Sequence, residues 1–466
     1  MCENPSVESG LSAVLGGIVG NSNVLTSPED TAPYLTDWRR QYRAGAECVV
    51  RPSSTKEVSR VVAACAGRGV AIVPQGGNTG LSGGSVPTGA RREVVLSLAR
   101  MNRIRAIDVL NDTLTAEAGC VLAAVQRAAD EAGRLFPLSL AAEGSCQIGG
   151  NLSTNAGGVN VLRYGSAREQ VLGLEVVLPD GRVWNGLRGL RKDNTGYDLK
   201  QIFLGAEGTL GVITAAVLRL HPKPTASTTA WVGLSRPGAA VELLAALHER
   251  LGERISAFEL VSRDCLAAVL RHNPATQDPL ASACPWYVLV EVDDSGSSDV
   301  LRGRLEEALA EAAERDLLED AALARSVDQS RALWRIRETI PEAQFSNVKH
   351  DISVPVSRVP DLIEELQGKV HAAFPGTPIY AFGHVGDGNI HYNVGTAALL
   401  AQRAAVNRIV YDTVAALGGS ISAEHGIGQL KRDEILRHKD PLELELMRSL
   451  KRALDPQDLM NPGKVL

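Results

Sequence analysis

Backbone that must pass close to a large anionic group is rich in glycine, and this chain concentrates glycine in two loops set between strand-like runs. The first, Pro74-Gln75-Gly76-Gly77-Asn78-Thr79-Gly80-Leu81-Ser82-Gly83-Gly84, holds five glycines in eleven positions. The second is Gly144-Ser145-Cys146-Gln147-Ile148-Gly149-Gly150-Asn151-Leu152-Ser153-Thr154-Asn155-Ala156-Gly157-Gly158. Without a Cβ, successive N–H groups can converge on one point, which is how a chain cradles a pyrophosphate. Neither loop has the strand–GxGxxG–helix or Walker spacing, so a Rossmann or P-loop site is not supported. A third segment, Gly205-Ala206-Glu207-Gly208-Thr209-Leu210-Gly211-Val212-Ile213, leads into a strand and offers backbone groups to a flat ring system.

The elements around these loops alternate. TKEVSRVVAACAGRG and LAAVQRAADEAG have apolar residues at helical spacing. AIVPQGG, EVVLSLARM, TLTAEAG, VLGLEVVLPDGRVW and GVITAAVLRLHP are β-rich. A proline-rich joint, His221-Pro222-Lys223-Pro224, ends this part. Beyond it, long Glu/Arg/Ala helices (VELLAALHERLG, SDVLRGRLEEALAEAAER) alternate with strands such as PWYVLVEVD and PIYAFGHVG, which predicts an α+β unit with an antiparallel sheet and helices on one side. A last helix stops at Asp455-Pro456 before a short docked tail.

A net charge of −6 on 466 residues without a dense basic stripe argues against nucleic-acid binding. The opening MCENPSVES is acidic and the following LSAVLGGIV is short and glycine-interrupted, so neither a leader nor a membrane span is expected. Cys2, Cys48, Cys65, Cys120, Cys146, Cys265 and Cys284 are scattered without a CxxC pair, as free thiols in the cytoplasm would be.

In GHVGDGNIHYNV, a Gly386–Asn389 hairpin loop would set Val385 against Ile390 and His384 directly opposite His391, with cross-strand Cβ atoms roughly 5 Å apart. Asn393 then shares the face of His391. Ser422-Ala423-Glu424-His425-Gly426-Ile427-Gly428 offers a carboxylate and a third imidazole, and a two-His, one-Glu set suits zinc, with manganese, iron or cobalt also accepted. On the helix containing Arg335 and Arg337, only one of the two faces a common site. Lys349 follows as a further cation.

Together these motifs, ending in Asn461-Pro462-Gly463-Lys464, resemble the FAD-binding oxidoreductases of the vanillyl-alcohol oxidase type, within them the D-2-hydroxyglutarate, D-lactate and glycolate dehydrogenases. The resemblance implies an α+β fold: a two-part FAD domain over 1–223, a substrate (cap) domain over 224–425 and a C-terminal helical segment over 426–466. It places FAD on the 74–84, 144–158 and 205–213 segments and Asn461. His384, His391 and Glu424 would hold the metal, and His425 would serve as base and substrate contact. Arg337, Lys349 and Asn393 would bind the substrate, and hydride would pass to flavin N5. Asn78 stands where several relatives carry a His joined to the flavin, so a dissociable FAD is expected. Some relatives carry Thr where this chain has Pro341, which leaves the far end of the substrate least defined.

Two candidate cations beside a metal, in a chain with only 4% aromatic residues, favour a dicarboxylate, D-2-hydroxyglutarate ahead of D-malate and D-lactate. Electrons would leave to an electron-transfer flavoprotein or a quinone-linked carrier, and a homodimer is compatible with the chain. A D-lactate or glycolate enzyme subunit is the alternative within the family. A flavin-free metal hydrolase would leave the glycine loops unexplained, and a non-catalytic flavoprotein subunit would not need the Glu-His pair.

Overall fold

The computed structural model describes residues 10–344 and 346–466; the acidic opening segment and Cys2 lie outside the described residues. The first sheet runs in the order Val24–Leu25, Cys48–Val50, Glu93–Ser97, Ala71–Gln75. Cys48–Val50 and Ala71–Gln75 both lie parallel to Glu93–Ser97. Parallel strands are covered on both faces, which is why CVV and EVVLS are buried throughout. The crossover helix Thr55–Ala66 starts at Ser54, whose hydroxyl accepts from Glu57 N, and buries Val58, Val61, Val62 and Cys65.

A second, antiparallel sheet runs Ile104–Asp108, Thr113–Glu117, Val212–Arg219, Val171–Val177, Val183–Gly186. One apolar core joins both sheets, and LSAVLGGIV is helix Leu11–Val19, with Leu11, Leu15 and Val19 in that core.

The third sheet has seven strands in the order Asp320–Leu323, Ala226–Leu234, Trp286–Asp294, Ile255–Ser262, Ile379–Gly383, Asn389–Val394, Asp351–Ser353. All its pairs are antiparallel. The expected α+β class holds, but the helices cover both faces rather than one. Val288, Val290 and Val292 pack with Leu243, Leu305 and Leu362. Their strand neighbours Tyr287 and Leu289 pack with Leu266, Val269 and Ile336. Strand period two therefore supplies two apolar faces here, where an exposed sheet face would read apolar-polar.

Helix Pro441–Leu454 is capped by the Asp440 carboxylate and ends at Asp455. The chain then runs beside Ala71–Gln75: Ile72 N donates to Leu459 O and Asn461 N to Ile72 O, each at 2.8 Å. The six described cysteines are free and buried. No helix among the described residues is long and apolar enough to cross a membrane.

Candidate active site

One hairpin and a loop distant from it in sequence meet near one end of the seven-stranded sheet. His391 lies in Asn389–Val394, His384 just beyond Ile379–Gly383, and Glu424 in the loop after residue 420. The expected hairpin register is corrected: His391 pairs with Phe382, not with His384. The turn is five residues, His384 to Gly388, closed by Asp387 N and Asn389 N donating to His384 O. The turn nevertheless returns the His384 ring to within 6.0 Å of the His391 ring.

His384 Nε2 lies 3.8 Å from Glu424 Oε1, and His391 Nε2 lies 3.8 Å from Glu424 Oε2. The three ligand atoms stand within 4.8 Å of one another. Bonds of about 2.1 Å to one ion place tetrahedral ligands about 3.4 Å apart. Two imidazoles and a carboxylate at this spacing therefore fit a divalent ion after small side-chain movements.

Two carboxylates absent from the sequence expectations aim this cluster. Glu259, on strand Ile255–Ser262, accepts from His384 Nδ1 at 2.5 Å and from Arg337 Nε at 2.7 Å. That contact turns His384 Nε2 toward Glu424, the usual way an outer carboxylate orients a ligating imidazole. Asp351 Oδ2 accepts from both Glu424 N and His425 N at 2.9 Å, and its Oδ1 accepts from Asn389 Nδ2. Asp351, Glu424 and His425 also approach closely enough to form a second ligand set. Asp351 is already saturated by these donors, so His384, His391 and Glu424 are the better-disposed set.

Burial raises the Glu424 pKa to about 7 against the pull of His384. It lowers His391 to about 3 and His425 to about 4. Burial opposes charge on His384 too, but Glu259 outweighs it and lifts the group to about 9. Burial alone would raise Asp351; His425, Lys431 and His391 hold it far below the carboxylate range instead.

The glycine segments close against this cluster. Gly158 N donates to Glu424 Oε1 at 2.7 Å, and a Cβ on Gly157 would lie 2.6 Å from the same oxygen. The first two loops touch as well, since a Cβ on Gly77 would lie 2.1 Å from Ser145 O. Around them Gln147 Oε1, Asn151 Oδ1 and Asn461 Oδ1 are buried without a hydrogen-bond partner among the described residues. Orphaned polar atoms in a glycine cradle fit a large polar cofactor. The Glu207 carboxylate accepts from Ile427 N and Gly428 N, clasping the third segment to the Glu424 loop. Asn78 is likewise occupied, its Nδ2 donating to Pro33 O and Thr36 O and its Oδ1 accepting from Ser85.

On helix Val327–Ala343, Arg337 is buried over the Phe382 ring and Arg335 is exposed, so a single arginine of the pair faces the cluster. Lys349 Nζ donates to Pro341 O at 3.4 Å, and burial lowers its pKa to about 8. Asn393 is buried, its Oδ1 accepting from His350 N and its Nδ2 donating to Gln344 Oε1.

A glycine cradle abutting a cluster of imidazoles and carboxylates defines a cofactor-dependent enzyme, and comparison with known proteins narrows the class. Residues 46–186 match the FAD binding domain model, and residues 223–465 match that of the FAD linked oxidases, C-terminal domain. The chain belongs to the FAD-linked oxidase family. A D-2-hydroxyglutarate dehydrogenase, mitochondrial, of Bos taurus is 41% identical, covering 95% of this chain and 81% of that protein. A D-2-hydroxyglutarate dehydrogenase of Xanthomonas citri pv. viticola is 38% identical, covering 94% and 93%. Among solved structures, p-cresol methylhydroxylase superposes with a TM-score of 0.77 at 17% identity over 98% of this chain and 96% of that one. At that identity the likeness concerns the fold, which is of the vanillyl-alcohol oxidase type. The protein is an FAD-dependent oxidoreductase.

Proposed function

We propose that this enzyme oxidises a D-2-hydroxy acid, D-2-hydroxyglutarate in the first instance, to the 2-oxo acid with help from a divalent metal. The observation that carries the reading is the 2.7 Å hydrogen bond from Gly158 N to Glu424 Oε1, which sets a His-His-Glu cluster against a glycine segment of the cofactor cradle. Relatives bearing the D-2-hydroxyglutarate dehydrogenase name at about 40% identity support the substrate class.

In this reading the segments 74–84, 144–158 and 205–213 with Asn461 would hold FAD, which would supply the hydride acceptor for the hydroxyl-bearing carbon. His384, His391 and Glu424 would hold the metal, zinc by preference, which would supply Lewis acidity to lower the hydroxyl pKa. His425 takes the hydroxyl proton; its Nδ1 stands 3.4 Å from Asp351 Oδ2, leaving Nε2 for the substrate. Arg337 and Lys349 attract carboxylates, and Asn393 keeps one N–H available. Glu259 and Asp351 fix the imidazoles so that little reorganisation accompanies proton removal.

The division 1–223, 224–425 and 426–466 then separates cofactor binding, substrate binding and the closing segment. A soluble flavoprotein or quinone-linked carrier would receive the electrons, a homodimer is compatible, and the free cysteines suit the cytoplasm. The test is anaerobic: D-2-hydroxyglutarate should bleach the flavin band near 450 nm, and failure of every D-2-hydroxy acid to do so would refute the reading. Because Asn78 offers no nucleophile and is held by protein, denaturation should release all FAD into the filtrate. Yellow colour retained by the polypeptide would contradict a dissociable cofactor.

A further inference from the structure

Arg39 stands on a loop between helix Pro28–Leu35 and strand Cys48–Val50, closed by a bridge between Thr36 and Arg43. The loop is firmly built. Buried Asp37 accepts from Arg39 N at 3.2 Å and from Tyr42 N at 2.6 Å. Asn78 of the first glycine loop donates to Pro33 O and Thr36 O. The Tyr42 ring fills the space left by Gly83, where a Cβ would lie 2.6 Å from it.

This scaffold sits beside the turn that follows His425, since Ser82 Oγ donates to Gly426 O and Gln429 Nε2 to Gly83 O, and Arg39 itself is half-buried there. Its electrostatic neighbours are Asp351, Arg403 and Tyr411. It also acts on His425, Lys349 and Lys431. Among the described residues its guanidinium has neither a hydrogen bond nor an ion pair. Asp351 acts on it only through space, its oxygens accepting from Asn389 Nδ2 and two backbone N–H groups. Asp37 is similarly occupied within the loop.

Arg337 serves a different part of the cluster. It is held by Glu259, and its neighbours are His384 and His391. Its charge is largely balanced there. Positive charge therefore gathers beside His425, on which Arg39, Lys349 and Lys431 all act. Burial disfavours every one of these cations, and an anionic ligand group placed among them would offset that cost. A planar guanidinium with five unused donors is the member best shaped to grip a carboxylate.

We infer that Arg39, acting with Lys349, reads the second carboxylate of a dicarboxylic 2-hydroxy acid, so that a loop of the cofactor-binding part of the chain helps set substrate choice. The inference rests on the 2-hydroxy acid reading above. Arg39 is a specificity residue in this scheme and takes no part in proton or hydride transfer.

Steady-state and anaerobic kinetics of Arg39→Met and Arg39→Lys test it with D-2-hydroxyglutarate and the monocarboxylate D-2-hydroxybutyrate. In Arg39→Met the ratio of kcat/KM for the dicarboxylate over the monocarboxylate should fall about 10- to 100-fold, the range of a charge-assisted hydrogen bond. The loss should sit in KM, and Arg39→Lys should recover part of it. Flavin absorbance reports whether each variant is assembled; should Arg39→Met lose FAD, the neutral Arg39→Gln supplies the same comparison. An unchanged ratio, or a loss confined to kcat, overturns the assignment. A wild-type flavin that no 2-hydroxy acid reduces would instead sink the functional reading itself, so the two failures are told apart by which protein fails.

Discussion

Dialysis against EDTA should abolish flavin reduction by D-2-hydroxyglutarate while the protein stays yellow. Among the described residues the one hydrogen bond between the cradle segments and the side chains of His384, His391 and Glu424 is that from Gly158 N to Glu424 Oε1, so an ion held there could leave without dismantling the FAD site. Loss of Lewis-acid stabilisation, worth several kcal/mol, lowers the rate by about 1,000-fold or more. Zinc, manganese or cobalt should restore it, and elemental analysis would follow the ion independently of turnover. His384→Ala and His391→Ala behave like the chelated enzyme and do not recover at metal concentrations that rescue wild type. Full activity in a sample shown to be metal-free would end the proposal.

How far the sequence foresaw this site differs residue by residue. The glycine loops were legible because glycine density at strand ends has few structural causes. His384, His391 and Glu424 were legible as chemistry, but the pairing slipped: the turn keeps its hydrogen bonds local to His384 and spans five residues, which residue types alone do not specify. Glu259 was missed because it occupies one position in an apolar strand, AFELVS, 125 residues before the histidine it orients. Its buried, charged place among apolar neighbours was the only available hint. Asp351 gave a similar hint in HDISV. Arg39 gave none, since DWRRQYR reads as a solvated loop until Asp37, Asn78 and Tyr42 fix its course. Helices on both faces of the large sheet followed from side chains that are apolar on each face, a pattern easily read as a single buried strand run.

His425→Ala separates proton removal from metal binding. The ring stands outside the His384–His391–Glu424 set, stacked at 6.0 Å on His391, and its Nδ1 faces Asp351. Its backbone N–H, not its side chain, joins Glu424 N on Asp351 Oδ2, so the loop that carries Glu424 survives the truncation. The variant should therefore bind metal and FAD at wild-type stoichiometry and show an unshifted flavin spectrum. Anaerobic flavin reduction should slow by about 100- to 10,000-fold, the usual cost of deleting a general base. Saturating substrate should not repair the loss, because the missing interaction belongs to the reacting state rather than to binding. Added imidazole should recover part of the rate if the vacated space admits it next to Asp351. A variant that reduces its flavin at nearly the wild-type rate would place the base elsewhere or show that metal activation of the hydroxyl suffices. Slow reduction together with lost metal would assign His425 to the ion's ligand set instead, through the alternative grouping with Asp351 and Glu424.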